Sequence, residues 1–186
     1  MSGWIQTYTG KRVDVLDISL ADFDIRDIAH SLACINRFTG HTREPYSVAQ
    51  HSVLVADYVR DAGADSETVL AALMHDAPEA YINDLARPIK HAAGMSGYRE
   101  IERRIEFRLA ERFGLVYPLP DIVKRADEVL LVTEVRDLLP GPLHPDWPAE
   151  LRPDVHEVLP GPIVAWNWRA AEAEFLARWF VLMGQR

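Results

Sequence analysis

Three separate helical stretches of this chain each turn an ionisable side chain toward an apolar face, which restricts how they can be buried together. Between residues 24 and 138 the apolar positions recur mainly at helical spacing. His51 shares a stripe with Leu54, Val55 and Tyr58, and His75 and Asp76 follow Leu70, Leu73 and Met74. Asp127 lies between Val123 and Leu130-Leu131. An inward-facing charge is costly unless it is paired or bound to a metal. Two imidazoles and two carboxylates form a mixed nitrogen/oxygen shell that suits a divalent ion with positions left for water and substrate. That chemistry points to metal-assisted hydrolysis. Taken singly, each residue has a plainer reading. His51 could be a satisfied core histidine, and Asp127 could pair with Lys124 or Arg125 on its own helix. It is the set of four, in this order on successive elements, that favours a shared site.

The expected architecture is all-α with a small β ornament. Residues 4–15 alternate loosely around Thr9-Gly10-Lys11 and predict a short N-terminal hairpin. Helices are expected over 24–37 and 48–62, the second capped by Ser47 and stopped by Gly63. A third should start at Asp65 or Ser66 and run to about Tyr81, carrying His75 and Asp76 near its end. Residues 83–91 read as a connection broken by Pro88. Further helices are expected over 97–113, ended by Gly114, from Asp121 through Leu138, and over 168–183 behind Asn167. Residues 140–162 hold seven of the twelve prolines and predict a loop. Trp147, Trp166, Trp168 and Trp179 should pack that loop and the last helix onto the bundle. The whole of 1–186 reads as a single domain with its core in about 25–138.

Composition narrows the function. A formal charge of −8 argues against coating a nucleic-acid polymer, which usually needs a basic face. It leaves room for a small phosphorylated ligand, which needs only a few local cations. Neither an N-terminal apolar leader after Met1-Ser2-Gly3-Trp4 nor a run of membrane-spanning length is expected. The lone Cys34 has no intramolecular disulfide partner. A cytoplasmic protein with no membrane partner is the expectation.

His51, then His75-Asp76, then Asp127 resembles the H…HD…D signature of the HD-domain phosphohydrolases over roughly residues 25–138. The run HDAPEAYINDLARPIK is similar at several further positions to bacterial 5′-deoxynucleotidases and viral deoxynucleoside triphosphohydrolases. The resemblance implies an HD-domain helical bundle. It implies one divalent ion (cobalt, manganese, zinc or similar) held by His51, His75, Asp76 and Asp127. It also implies catalytic roles for Glu79 and Asp84, in handling the proton of the attacking water and in assisting the leaving oxygen. Physical chemistry agrees, because a carboxylate beside metal-bound water can accept its proton. As surface groups, Glu79 would be a solvated helix end and Asp84 an N-cap for the turn at Leu85.

Arg37-Phe38 matches the family's phosphate-orienting arginine and its aromatic neighbour, although the deoxynucleotidases carry Trp where Phe38 stands. A guanidinium fork suits phosphate oxygens. Lys90 falls where the family places a lysine, and Arg87 is a further candidate contact, with solvation as the default for both. His41 and Arg43 read as exposed loop groups, and Tyr81 as core. The resemblance also makes a homodimer the default.

The expected function is a nucleotide phosphohydrolase, with a deoxyribonucleoside 5′-monophosphate as the leading substrate. The alternatives are a triphosphohydrolase, an HD enzyme acting on guanosine tetraphosphate or a cyclic dinucleotide, and a non-catalytic nucleotide-sensing module. Glu79 is followed by Ala80 rather than by the Asp usual in tetraphosphate hydrolases. No extra histidine offers a second metal site for the cyclic-dinucleotide chemistry.

Overall fold

The computed structural model describes residues 3–185. Met1 and Ser2, where the expectation about a leader begins, and Arg186 lie outside the described residues. A two-stranded antiparallel hairpin comes first, β1 (Trp4–Gln6) and β2 (Arg12–Asp14), with Ile5 opposite Val13. Asp27 anchors its turn to the bundle by accepting from the Thr9 amide at 2.6 Å and the Thr9 hydroxyl at 2.9 Å. The helices follow: α1 (Ile25–Cys34), α2 (Val48–Asp61), α3 (Ser66–Leu73), α4 (Glu79–Ile82), α5 (Arg87–Lys90), α6 (Ser96–Phe113), α7 (Asp121–Leu138) and α8 (Trp168–Gly184). Among the described residues no helix is long and apolar enough to cross a membrane.

Local chemistry accounts for most of the boundaries. Ser47, Asp65 and Asn167 accept backbone N–H groups at the starts of α2, α3 and α8. Gly114 takes the left-handed conformation that ends α6. The helix expected over 24–37 stops at Cys34, three residues early. Ile35 is extended, and Asn36 pairs with Ser47 while the Arg37 amide donates to the Tyr46 carbonyl at 2.9 Å. Chain beyond Cys34 therefore closes a loop back onto the start of α2. At its tip Phe38 and Thr39 sit at φ 54° and 53°, a left-handed conformation that is uncommon for non-glycine residues.

The expected helix from residue 65 to 81 is broken, which is the main correction. Pro78 has no N–H, and its ring opposes the carbonyl four residues back, at Met74, where α3 ends. Residues 74–78 form tight turns instead, with Ala77 N to Met74 O at 3.0 Å and Glu79 N to Asp76 O at 3.0 Å. His75 and Asp76 thus stand in a turn between α3 and α4, not on a helix. Pro88 is also placed differently from expectation: it opens α5 rather than breaking a connection.

Buried apolar residues form one continuous cluster from Val13 to Leu182. α2 runs through its middle, packed by α1, α3, α7 and α8, and nine of its fourteen residues are buried. Residues 140–162 are a loop with one 3-10 turn, Ala149–Leu151. Its return is stitched down by side chains. Gln50 donates to the Val164 carbonyl and accepts from the Trp166 amide, both at 2.8 Å. Asp137 accepts from the Ile163 amide at 2.8 Å. Trp166 and Trp179 pack on the core as expected. Trp147 instead folds back within the loop, donating to Leu151 O at 3.0 Å, and Trp168 is 40% exposed.

Phe175 is fully buried where α8 meets the bundle. Phe175→Ala should lower stability by about 3–5 kcal/mol, read as a shift of the urea midpoint at unchanged slope.

Candidate metal centre

α2 delivers His51 to the centre of the bundle, where it is fully buried. Its Nε2 faces three other groups from distant parts of the chain. Asp127 Oδ1 of α7 is at 3.1 Å, His75 Nε2 at 3.3 Å and Asp76 Oδ2 at 3.6 Å. His75 Nε2 and Asp76 Oδ2 are 3.2 Å apart. His51, His75 and Asp76 therefore form one cluster that could hold a metal ion, with their ligand atoms all within 4.8 Å of one another, and Asp127 reaches it through His51. Asp127 has neither of its plainer partners, since Lys124 pairs with Asp121 and Arg125 with Glu157. Its side chain is 37% exposed and forms the open side of the cluster.

The far ring nitrogens are also occupied. His75 Nδ1 lies 2.7 Å from the Ala72 carbonyl, which can only accept, so Nδ1 carries a proton and Nε2 is the nitrogen turned toward the cluster. His51 Nδ1 lies 2.6 Å from Glu134 Oε1, a buried carboxylate on α7 two turns beyond Asp127. Glu134 accepts also from Tyr46 OH at 2.9 Å and, through Oε2, from Arg37 Nε at 3.1 Å. Glu134 and Tyr46 were not anticipated from the sequence. The available signal was Glu134 lying seven residues after Asp127, on the same face among apolar neighbours.

Electrostatics divides the carboxylates into two sets. Burial opposes ionisation of Asp76, but the charge and hydrogen bond of His75, with His51 and Arg37, hold it far below the ordinary range. Burial likewise opposes ionisation of Asp127, and His51 brings it down to about 2. Glu134 is lowered against its burial by Arg37 and His51. Glu79 moves the other way. Burial, then the negative charges of Asp76 and Asp84, push it well above the usual range, and its Oε2 is buried without a hydrogen-bond partner among the described residues. Asp84 is raised as well, chiefly by burial. Glu79 stands at the start of α4, just beyond the turn that carries His75 and Asp76.

The candidate substrate contacts separate. Arg37 Nη1 reaches Asp76 Oδ2 at 3.5 Å, and its guanidinium lies 5.8 Å from the centre of the Phe38 ring. Lys90 pairs with the buried Glu102 at 2.6 Å; burial lowers its affinity for a proton, and that bond outweighs the effect. Arg87, exposed at the first residue of α5, makes no hydrogen bond or ion pair to the cluster among the described residues. His41 and Arg43 are exposed, and Arg43 serves the end of α7 by donating from its amide to Leu138 O at 2.9 Å. Tyr81 is buried core. Two clefts, about 550 Å³ beside Cys34 and Trp166 and about 460 Å³ between α2, α3 and α8, lie away from the cluster.

Fold and site together define an all-α protein with a buried histidine–carboxylate cluster. No family model matches the chain. It is 41% identical over 135 residues to the uncharacterized protein YfdR of Escherichia coli, covering 73% of this chain and 72% of that protein. An uncharacterized protein of Rhodobacter capsulatus is 42% identical over 127 residues, which are 66% of this chain and 64% of that relative. The match thus spans less than two thirds of the Rhodobacter protein. The chain belongs to the family of the Escherichia coli protein.

For His51, burial and Arg37 favour the neutral ring, but Glu134 and Asp127 outweigh them and raise it to about 9. A group raised on folding stabilises fully below its unfolded value near 6.5, and that share is lost as pH climbs through the folded value. Metal-free protein should therefore lose melting temperature between pH 6.5 and 9. His51→Gln should flatten that slope, as followed by circular dichroism.

Proposed function

We propose that the chain is a metal-dependent phosphohydrolase of the HD class, acting on deoxyribonucleoside 5′-monophosphates. The observation that carries this reading is the convergence of His51, His75, Asp76 and Asp127, with His51 Nε2 no more than 3.6 Å from a donor atom of each of the other three. The donor set fits a divalent ion: one imidazole is anchored through Nδ1 with its Nε2 turned inward, the other is backed by a carboxylate, and both ligand carboxylates are held ionised. Such an ion, cobalt, manganese, zinc or similar, would supply a water of lowered pKa and polarise a phosphate oxygen.

The chain's own residues do the rest. Arg37 is held from behind through Nε, which leaves its Nη groups toward the cluster for phosphate oxygens. Phe38 beside it offers an apolar surface to the sugar. Glu79, pushed toward the neutral form by burial and by Asp76 and Asp84, suits donation of a proton to the leaving 5′ oxygen. Asp84, just past the other end of α4, adds a second raised carboxyl whose charge acts on Glu79.

The charge balance favours a monophosphate. Arg37 and Lys90, the cations nearest the cluster, are each already held by a carboxylate, Glu134 and Glu102. A triphosphate would need a row of cations free to follow its chain. A small dianion needs only the ion and one guanidinium. A cytoplasmic setting goes with this reading, since phosphorylated nucleotides are held inside the cell.

Two measurements test it. With manganese or cobalt added, the protein should release orthophosphate from deoxynucleoside monophosphates, and Asp76→Asn should return release to background. An unchanged rate in that variant rejects the assignment, and triphosphate as product moves it to the alternative substrate. Glu79→Gln should slow turnover by about 10²–10⁴-fold while metal affinity, read by calorimetry, stays near that of the unaltered protein.

A further inference from the structure

We propose that Glu134 is a positioning residue that sets the metal ligand His51 and the phosphate ligand Arg37 with one carboxylate, so that the two sites are coupled. This rests on the hydrolase reading above and concerns a residue outside its ligand set.

Glu134 is fully buried, and a buried carboxylate must find donors for its oxygens. It has three. Oε1 takes His51 Nδ1 at 2.6 Å and Tyr46 OH at 2.9 Å, and Oε2 takes Arg37 Nε at 3.1 Å. The division between the two oxygens is what matters. One oxygen fixes the proton of His51 on Nδ1 and aims Nε2 at Asp127, His75 and Asp76. The other grips Arg37 through Nε and leaves Nη1 facing Asp76. Neither the ring nor the guanidinium can turn without disturbing the carboxylate that holds the other.

The position on α7 adds to this. Asp127 and Glu134 are seven residues apart, two turns along the same face and about 10 Å in rise. A single rigid helix therefore presents both a candidate ligand and the group that orients another one. Partners of this kind beyond the ligands usually govern metal affinity by about 10–100-fold.

The test is calorimetric titration of metal-free protein with manganese, followed by titration of the loaded protein with inorganic phosphate. Glu134→Gln keeps the shape but removes the charge, and should weaken manganese binding by about 10–100-fold. Arg37→Gln alone should leave manganese affinity within about threefold and weaken phosphate. In the double variant the phosphate losses should not add, because Glu134→Gln has already released the guanidinium. Wild-type manganese affinity in a folded Glu134→Gln, or additive phosphate losses, overturns the proposal. Should Glu134→Gln fail to fold, Glu134→Asp keeps the charge one methylene short of His51. Weakened metal binding there supports the proposal, and unchanged binding defeats it. Failure of the unaltered protein to bind manganese would instead sink the hydrolase reading itself, so the two failures are distinct.

Discussion

The central constraint is that ionised groups gather around a histidine that water does not reach. Nine of the fourteen residues of α2 are buried, and the imidazole of His51, at the end of its first turn, has no recourse to solvent. His51 is stable there because the surrounding structure supplies an acceptor for one nitrogen and a cluster of polar groups for the other. Those groups come from the loop after α1, the turn after α3 and the face of α7. The bundle must bring all of them to one place or leave an uncompensated charge in its core, a penalty of several kcal/mol in order of magnitude. The demand for mutual satisfaction therefore shapes the fold as much as the chemistry.

The same crowding sorts carboxylates that are chemically alike. Those in contact with His51, His75 or Arg37 are held as anions, while burial pushes Glu79 and Asp84 toward the neutral form, aided at Glu79 by the charges of Asp76 and Asp84. Pairs of acids driven apart in this way can take different parts in one reaction. The turn at Pro78 makes it possible by placing Asp76 and Glu79 on either side of a bend rather than along one helical face.

Much of this was legible from residue order. Ser47, Asn167 and Gly114 mark their helix ends by chemistry confined to a few residues, and the four inward ionisable groups stood out against apolar stripes. Where the reading missed, the cause was non-local or overridden. α1 ends at Cys34 because Asn36 is drawn into pairing with Ser47, eleven residues away. The break after Leu73 was signalled by Pro78, but the helical spacing of Leu70, Leu73 and Ala77 masked it. Glu134 and Glu102 were hidden for a different reason: a charged residue inside a long helix looks solvated until its partners, His51 and Lys90, are brought to it by packing.

Gln50 links this centre to the least regular part of the molecule. It stands next to His51 in the chain and clasps the backbone on both sides of Ala165. The proline-rich span therefore begins at the end of the helix carrying Asp127 and returns within one residue of His51. Further bonds hold Glu157, Leu159 and Gly161 on the way, so the physical room for changed length lies in the stretch before Glu157. A register slip of a single residue at Val164 or Trp166 would tug on the backbone of the imidazole itself. Tolerance to insertion should thus fall abruptly, rather than gradually, along that loop.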